Sequence, residues 1–223
     1  MTPTISRRSL LSGGAAALAL GALSGCSQNN DGAGSSGASA ADAAKPVILV
    51  TSFGTSYNST RHVTIGAIED AIREKYGRDY DVRRAFTSQI IIDKLKERDG
   101  IEIDNVEEAL DRAKADGVET VIVQPTHLMA GLEYTDIKDE LDKRSDDFKQ
   151  VALGEPLLAS DADYQAVAEA IAEQRANLDD GACAFVLMGH GTTADSNADY
   201  ATMQRTFDAL GKKQFFVGTV EAE

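Results

Sequence analysis

The chain has 223 residues, 36 acidic and 22 basic, with a formal net charge of −14. That balance argues against nucleic acid as a partner and weakly favours cations such as metal ions. Two cysteines, Cys26 and Cys183, exclude a disulfide-stapled scaffold, so the fold must rest on its core.

Residues 1–25 read as an export signal. Ser6-Arg7-Arg8-Ser9-Leu10-Leu11 has the twin-arginine pattern, and an Ala/Leu/Gly run reaches Leu20. The run is too short to span a bilayer as a stable helix. Leu23-Ser24-Gly25-Cys26 resembles the lipobox of bacterial lipoproteins. That resemblance implies lipidation of Cys26 and a protein anchored to the outer face of the cytoplasmic membrane, or periplasmic. Segment 26–45 is rich in Ser, Gly, Ala, Asn and Asp without apolar periodicity, and reads as a flexible tether. Removal of residues 1–25 takes away Arg7, Arg8 and no acid, so the net charge becomes −16. With Cys26 lipidated, Cys183 has no intramolecular partner.

From residue 46 the pattern alternates strand and helix. Val47 to Phe53 is a β-branched apolar run ending at Gly54-Thr55-Ser56-Tyr57, the signature of a buried parallel strand. Asn58 or Ser59 caps a helix carrying Val63, Ile65, Ile68, Ala71 and Ile72, which ends near Tyr76-Gly77. Tyr80 to Phe86 is a second strand, and Thr87-Ser88 opens a helix with Ile91, Ile92 and Leu95. Glu107 to Ala115 is helical and Glu119 to Gln124 is a third strand, followed by the loop Pro125 to Gly131 with His127. Glu133 to Lys143 is a helix and Gln150 to Leu153 a short fourth strand. This order argues for a parallel sheet covered on both faces, over residues 46–160.

Residues 161–223 begin the pattern again. Asp161 to Asn177 is a linking helix, and Cys183 to Met188 is a strand running into Gly189-His190-Gly191-Thr192-Thr193. Asn197 to Leu210 is a helix and Gln214 to Val220 the next strand. ILVTSFGTS at 48–56 aligns with FVLMGHGTT at 185–193, an internal repeat of large period. The first copy continues well past its second strand and the second stops at Glu223, so a C-terminally truncated second half is expected. An uncovered sheet edge there would promote self-association.

Three histidines are present. His62 lies among polar residues of the first helix and reads as surface. His127 reads either as a pocket-lining residue or as a loop residue capping backbone groups. His190 ends an apolar strand, at the sheet edge where open α/β folds bind ligands, and reads as a ligand, a base or a packed core residue. A buried imidazole at that place would need partners. Glu221 follows the next strand. Parallel neighbours deliver their ends to one edge, so His190 and Glu221 can face one cleft. One nitrogen and one carboxylate suit Co2+, Fe2+, Ni2+ or Zn2+.

The stretches SFGTSY (52–57), RAFTS (84–88), IIIDKLKERDGIEID (90–104), QPTHLMAGLEY (124–134), LGEPLL (153–158), MGHG (188–191) and VGTVE (217–221) occur in an order that resembles the anaerobic cobaltochelatases of the class II chelatase superfamily. The resemblance implies an α/β, chelatase-like fold of two similar Rossmann-like halves, with a tetrapyrrole between them. It implies insertion of Co2+ into sirohydrochlorin for cobalamin synthesis without ATP, with Fe2+ or Ni2+ as alternative ions. It implies that His190 and Glu221 bind the metal and that His190 is catalytic. A further family histidine, in an Ala-Gly-Asp-His-type loop, would fall beyond Glu223. Substrate contacts are expected at Gly54, Thr55, Ser56, Arg84, His127 and Gly191, with Arg83 or Arg84 as the base that offsets the substrate's carboxylates. The rival expectation is a membrane-tethered metal- or haem-binding protein that keeps the fold without the catalysis.

Overall fold

The computed structural model describes residues 44–179 and 181–221, and the backbone of Thr4–Ile5. The expected export signal, apart from Thr4–Ile5, most of the tether, and Cys26 lie outside the described residues.

Five strands form the larger sheet: β1 (Thr4–Ile5), β2 (Val47–Ser52), β3 (Asp81–Phe86), β4 (Thr120–Pro125) and β5 (Gln150–Gly154). Their order is β1-β5-β4-β2-β3 and every pairing is parallel. The short β1 lies beside the end of β5, Thr4 opposite Leu153 and Ile5 opposite Gly154. Strand β2 lies between β4 and β3 and is buried along its whole length, as its apolar run suggests.

The helices follow the expected sequence. A helical segment runs from α1 (Asn58–Arg61) through a π-helical stretch, His62–Gly66, into α2 (Ala67–Tyr76). Then come α3 (Gln89–Asp99), α4 (Val106–Ala115), α5 (Leu132–Lys143), α6 (Asp161–Arg175) and α7 (Ala198–Ala209). Helix α4 starts on a capping box: Asn105 accepts from the Glu108 amide and Glu108 accepts from the Asn105 amide. Helix α3 stops at Gly100, whose φ of +66° closes the last turn at no steric cost.

Leu110 and Ala113 of α4 and Ile137 and Leu141 of α5 pack on Val47, Leu49, Val121, Val123 and Leu153, covering one face of the sheet. On the other face Ile48 and Ile122 meet Ile68, Ala71 and Ile72 of α2 only across an apolar cleft of ≈ 690 Å3, also lined by Pro125, Leu128 and Leu157. The sheet is thus packed tightly on one side and loosely on the other, where sequence patterning pointed to cover on both. The helical segment 58–76 also departs from its apolar periodicity. Val63 and Ile68 are exposed, while Arg61 and Glu69 are buried. Each buried charge has a partner beyond the reach of local pattern: the Thr55 carbonyl for Arg61 and the Arg84 guanidinium for Glu69.

A separate two-stranded parallel sheet contains β6 (Phe185–Gly189) and β7 (Phe215–Thr219). Phe185, Leu187 and Val217 face a core of Tyr164, Ala168, Met203, Phe207 and Phe215, which Leu158 also joins. Phe215 stacks between Phe185 and Phe207, with both centroid distances 4.8 Å. Val186, Met188 and Phe216 are exposed on the opposite face. Strand β6 is therefore half-buried, although every side chain from Phe185 to Met188 is apolar.

Candidate metal centre

Parallel register builds the site. Gly189 of β6 stands opposite Thr219 of β7, and the pairing continues past both strand ends. The Val220 amide donates to the Gly189 carbonyl at 2.9 Å, and the Glu221 amide to the His190 carbonyl at 3.0 Å. His190 and Glu221 are thereby held side by side at the carboxyl edge. Their side chains approach to 3.8 Å between Nε2 and Oε1. Two ligands of one tetrahedral ion, each at ~2.1 Å, stand about 3.4 Å apart, so the pair need close by only about 0.4 Å. Both side chains have room to do so, being 80% and 69% exposed. The exposure of His190 corrects the expectation of a buried imidazole in need of partners. Among the described residues, no group of three His, Cys, Asp or Glu side chains is placed to hold a metal ion.

The backbone around His190 is fixed. Gly191 has φ +93°, and a Cβ there would lie 2.5 Å from the Glu221 carbonyl oxygen, so only glycine fits. Tyr200 of α7 fills the space over Gly189, where a Cβ would lie 2.1 Å from the tyrosine Cε1. Its hydroxyl accepts from the Gly191 amide at 3.2 Å. Asn197 accepts from the Thr192 amide at 3.2 Å. Tyr200 was not among the residues singled out from sequence; the signal that could have found it is Gly189, a residue without a side chain ahead of a loop.

The first half repeats this cradle with different side chains. Gly54 has φ +101° and packs against the Phe86 ring, where a Cβ would meet Cδ2 at 2.6 Å. The Thr87 amide donates to the Ser52 carbonyl at 2.9 Å and the Ser88 amide to the Phe53 carbonyl at 3.2 Å. Phe53 and Ser88 therefore occupy the places that His190 and Glu221 hold in the second copy. The loop is braced from outside by Arg61 Nη1 on the Thr55 carbonyl at 3.3 Å and Arg98 Nη2 on the Ser56 carbonyl at 2.5 Å. Ser56 is buried, and Thr55 Oγ1 accepts from the Tyr57 amide at 3.3 Å.

His127 sits at the end of β4, on the same edge of the larger sheet. Both of its ring nitrogens are shut away from solvent with no hydrogen-bond partner among the described residues. Burial lowers its pKa, partly offset by the nearby Glu133 carboxylate. The buried Ser196 hydroxyl, near Gly131, likewise has no hydrogen-bond partner among the described residues. Arg84, the residue expected to bind the substrate's carboxylates, already has a carboxylate partner within the fold. Arg84 lies within β3, opposite Val50, and its guanidinium is closed on Glu69 through hydrogen bonds of 2.7 and 2.5 Å. Arg83 is similarly held by Asp81 and Asp116, each at 2.7 Å.

Residues 46–223 match a family model described as cobalt chelatase (CbiK). Over 165 residues the chain is 38% identical to the sirohydrochlorin cobaltochelatase of Salmonella typhimurium (strain LT2), covering 74% of this chain and 62% of that protein. Over 164 residues it is 31% identical to the sirohydrochlorin cobaltochelatase CbiKC of Nitratidesulfovibrio vulgaris (strain Hildenborough), covering 71% of this chain and 56% of that protein. The match thus spans less than two thirds of the length of either relative. With the parallel two-sheet architecture and the match over nearly all the described residues, the chain belongs to the CbiK cobalt chelatase family.

Proposed function

We propose that this protein inserts Co2+ into sirohydrochlorin without ATP, as a metal chelatase of anaerobic cobalamin synthesis. The observation that carries the reading is the His190–Glu221 pair, a nitrogen and a carboxylate 3.8 Å apart at the end of two adjacent parallel strands. The names of both relatives support the substrate. Insertion exchanges two pyrrole N–H protons for one divalent ion. A neutral imidazole at His190 can hold the ion through Nε2 or accept a departing proton there, and Glu221 offsets the charge of the cation. The exposed side chains of Phe53, His190 and Glu221 offer the edge on which a flat macrocycle would lie, with Gly54, Thr55, Ser56, Gly191 and His127 as its expected contacts. Co2+ is the metal of the family, and Fe2+ and Ni2+ suit the same donors.

The test is the visible spectrum of sirohydrochlorin on addition of Co2+ and protein, with His190→Ala and Glu221→Gln as controls. Metal-dependent spectral change that both substitutions abolish supports the reading; equal rates in all three proteins overturn it. The exposure of the two-ligand pair favours one second reading, a metal- or haem-binding protein without catalysis. That reading predicts stoichiometric binding and no turnover.

We also propose that the protein is exported and lipid-anchored through Cys26, on the strength of the twin arginines and the Leu23-Ser24-Gly25-Cys26 motif. Labelled fatty acid that enters the wild type and not Cys26→Ser supports this, and label in both refutes it. The exposed Val186, Met188 and Phe216 support self-association, which light scattering at rising concentration would reveal.

A further inference from the structure

We infer that Tyr200 is a positioning residue for the metal pair, holding the backbone on both sides of His190 so that the imidazole meets Glu221. The inference rests on the reading of His190 and Glu221 as metal ligands. His190 itself is 80% exposed, and among the described residues no hydrogen bond restrains its side chain beyond the 3.8 Å approach to Glu221. Its aim must therefore come from the backbone. On one side, the Tyr200 ring occupies the volume that any side chain at residue 189 would fill. On the other, the Tyr200 hydroxyl accepts the Gly191 amide. One side chain thus touches both residues that flank the ligand.

Tyr200 is itself anchored. It lies in the first turn of α7, next to Asp199, which is hydrogen-bonded to Tyr164 of the second core. The same turn is tied to the histidine loop by Asn197 on the Thr192 amide. Across the strand, the Glu221 amide fixes the His190 carbonyl. A ligand on a backbone held this way loses less freedom when the ion arrives. Partners that orient a metal ligand commonly alter affinity by about 10–100-fold when removed.

Co2+ titrated into the full chain tests this without any turnover. Calorimetry gives the affinity, and the visible d–d absorption of Co2+ reports its coordination. Tyr200→Phe keeps the ring and removes the acceptor for Gly191; Tyr200→Ala removes both. The expected result is a loss of about 3–10-fold in Co2+ affinity for Tyr200→Phe and about 10–100-fold for Tyr200→Ala. An altered d–d band is expected in both, with thermal unfolding of Tyr200→Phe close to that of the parent. Unchanged affinity and spectrum in both variants overturn the positioning role, as does a loss of thermal stability with Co2+ affinity intact. His190→Ala separates this from the underlying reading. If it binds Co2+ as tightly as the parent, the metal site lies elsewhere and both fall. If it abolishes binding while the Tyr200 variants bind normally, only the positioning role falls.

Discussion

Replacing Arg84 separates a structural arginine from a substrate-binding one. Glu69 is 5% exposed, and both carboxylate oxygens accept from Arg84 at 2.7 and 2.5 Å. The guanidinium carbon lies 5.8 Å from the centroid of the Phe86 ring, which adds a cation–π contact. Arg84→Met leaves the carboxylate in a dry place with two acceptors unmet. Each hydrogen bond to a charged group contributes about 1.5–3 kcal/mol, and breaking a buried pair costs about 3–5 kcal/mol. Water reaches the arginine side, which is 33% exposed, so the lower figure of about 3 kcal/mol applies. For a chain of this size that lowers Tm by about 6–12 °C. Adding Glu69→Leu removes the stranded charge and should restore most of the loss. Urea unfolding followed by circular dichroism measures both variants. Tetrapyrrole affinity should stay unchanged in any variant that folds. A stable Arg84→Met protein with weakened tetrapyrrole binding would refute the argument and return Arg84 to the substrate.

Gly189→Ala places a methyl 2.1 Å from the Tyr200 ring and should cost about 1–3 kcal/mol by overpacking, read as a lower urea midpoint. His127 gives a pH dependence of known sign. Its folded pKa lies below the ordinary 6.5, so the unfolded chain binds the proton first and stability falls as pH drops from 6.5 toward the folded value. His127→Gln should flatten that slope between urea midpoints at pH 7.5 and 5.0. Phe53→His combined with Ser88→Glu places a second nitrogen–carboxylate pair on the first-half cradle. Calorimetry should then show one additional Co2+ per chain, and unchanged stoichiometry would show that the cradle alone does not aim the ligands.

The elements were legible because a parallel α/β chain writes them locally. Val47 to Ser52 is an unbroken apolar run, Gly100 marks a helix end, and Asn105 with Glu108 marks a helix start. The placement of His190 beside Glu221 was legible for a related reason: both residues follow strand ends, and parallel pairing brings such ends together. What each side chain faces was not legible. The spacing of Val63 and Ile68 pointed inward, yet Arg61 and Glu69 are buried on the same helical segment. Their partners are the Thr55 carbonyl and Arg84, and the latter lies 15 residues from Glu69. Periodicity reports a residue's position on its own helix and carries nothing about a counter-charge on another element. Tyr200 was missed for the same reason, since its contact with Gly189 depends on how α7 crosses the strand end.

The two copies of the repeat show where chemistry resides in this fold. Gly54 and Gly191 share a positive φ, and each copy closes its loop with two amide-to-carbonyl bonds from the neighbouring strand. The backbone is therefore the same invitation twice. In one copy it presents Phe53 and Ser88, which offer a ring face and a hydroxyl. In the other it presents His190 and Glu221, which offer a nitrogen and a carboxylate. The cradle determines that two side chains stand together at a sheet edge, and residue identity determines what chemistry they can offer there. A flat macrocycle lying between such edges would meet ligands on one side and an exposed aromatic ring on the other. In such an arrangement metal delivery and macrocycle contact would be divided between two copies of one motif.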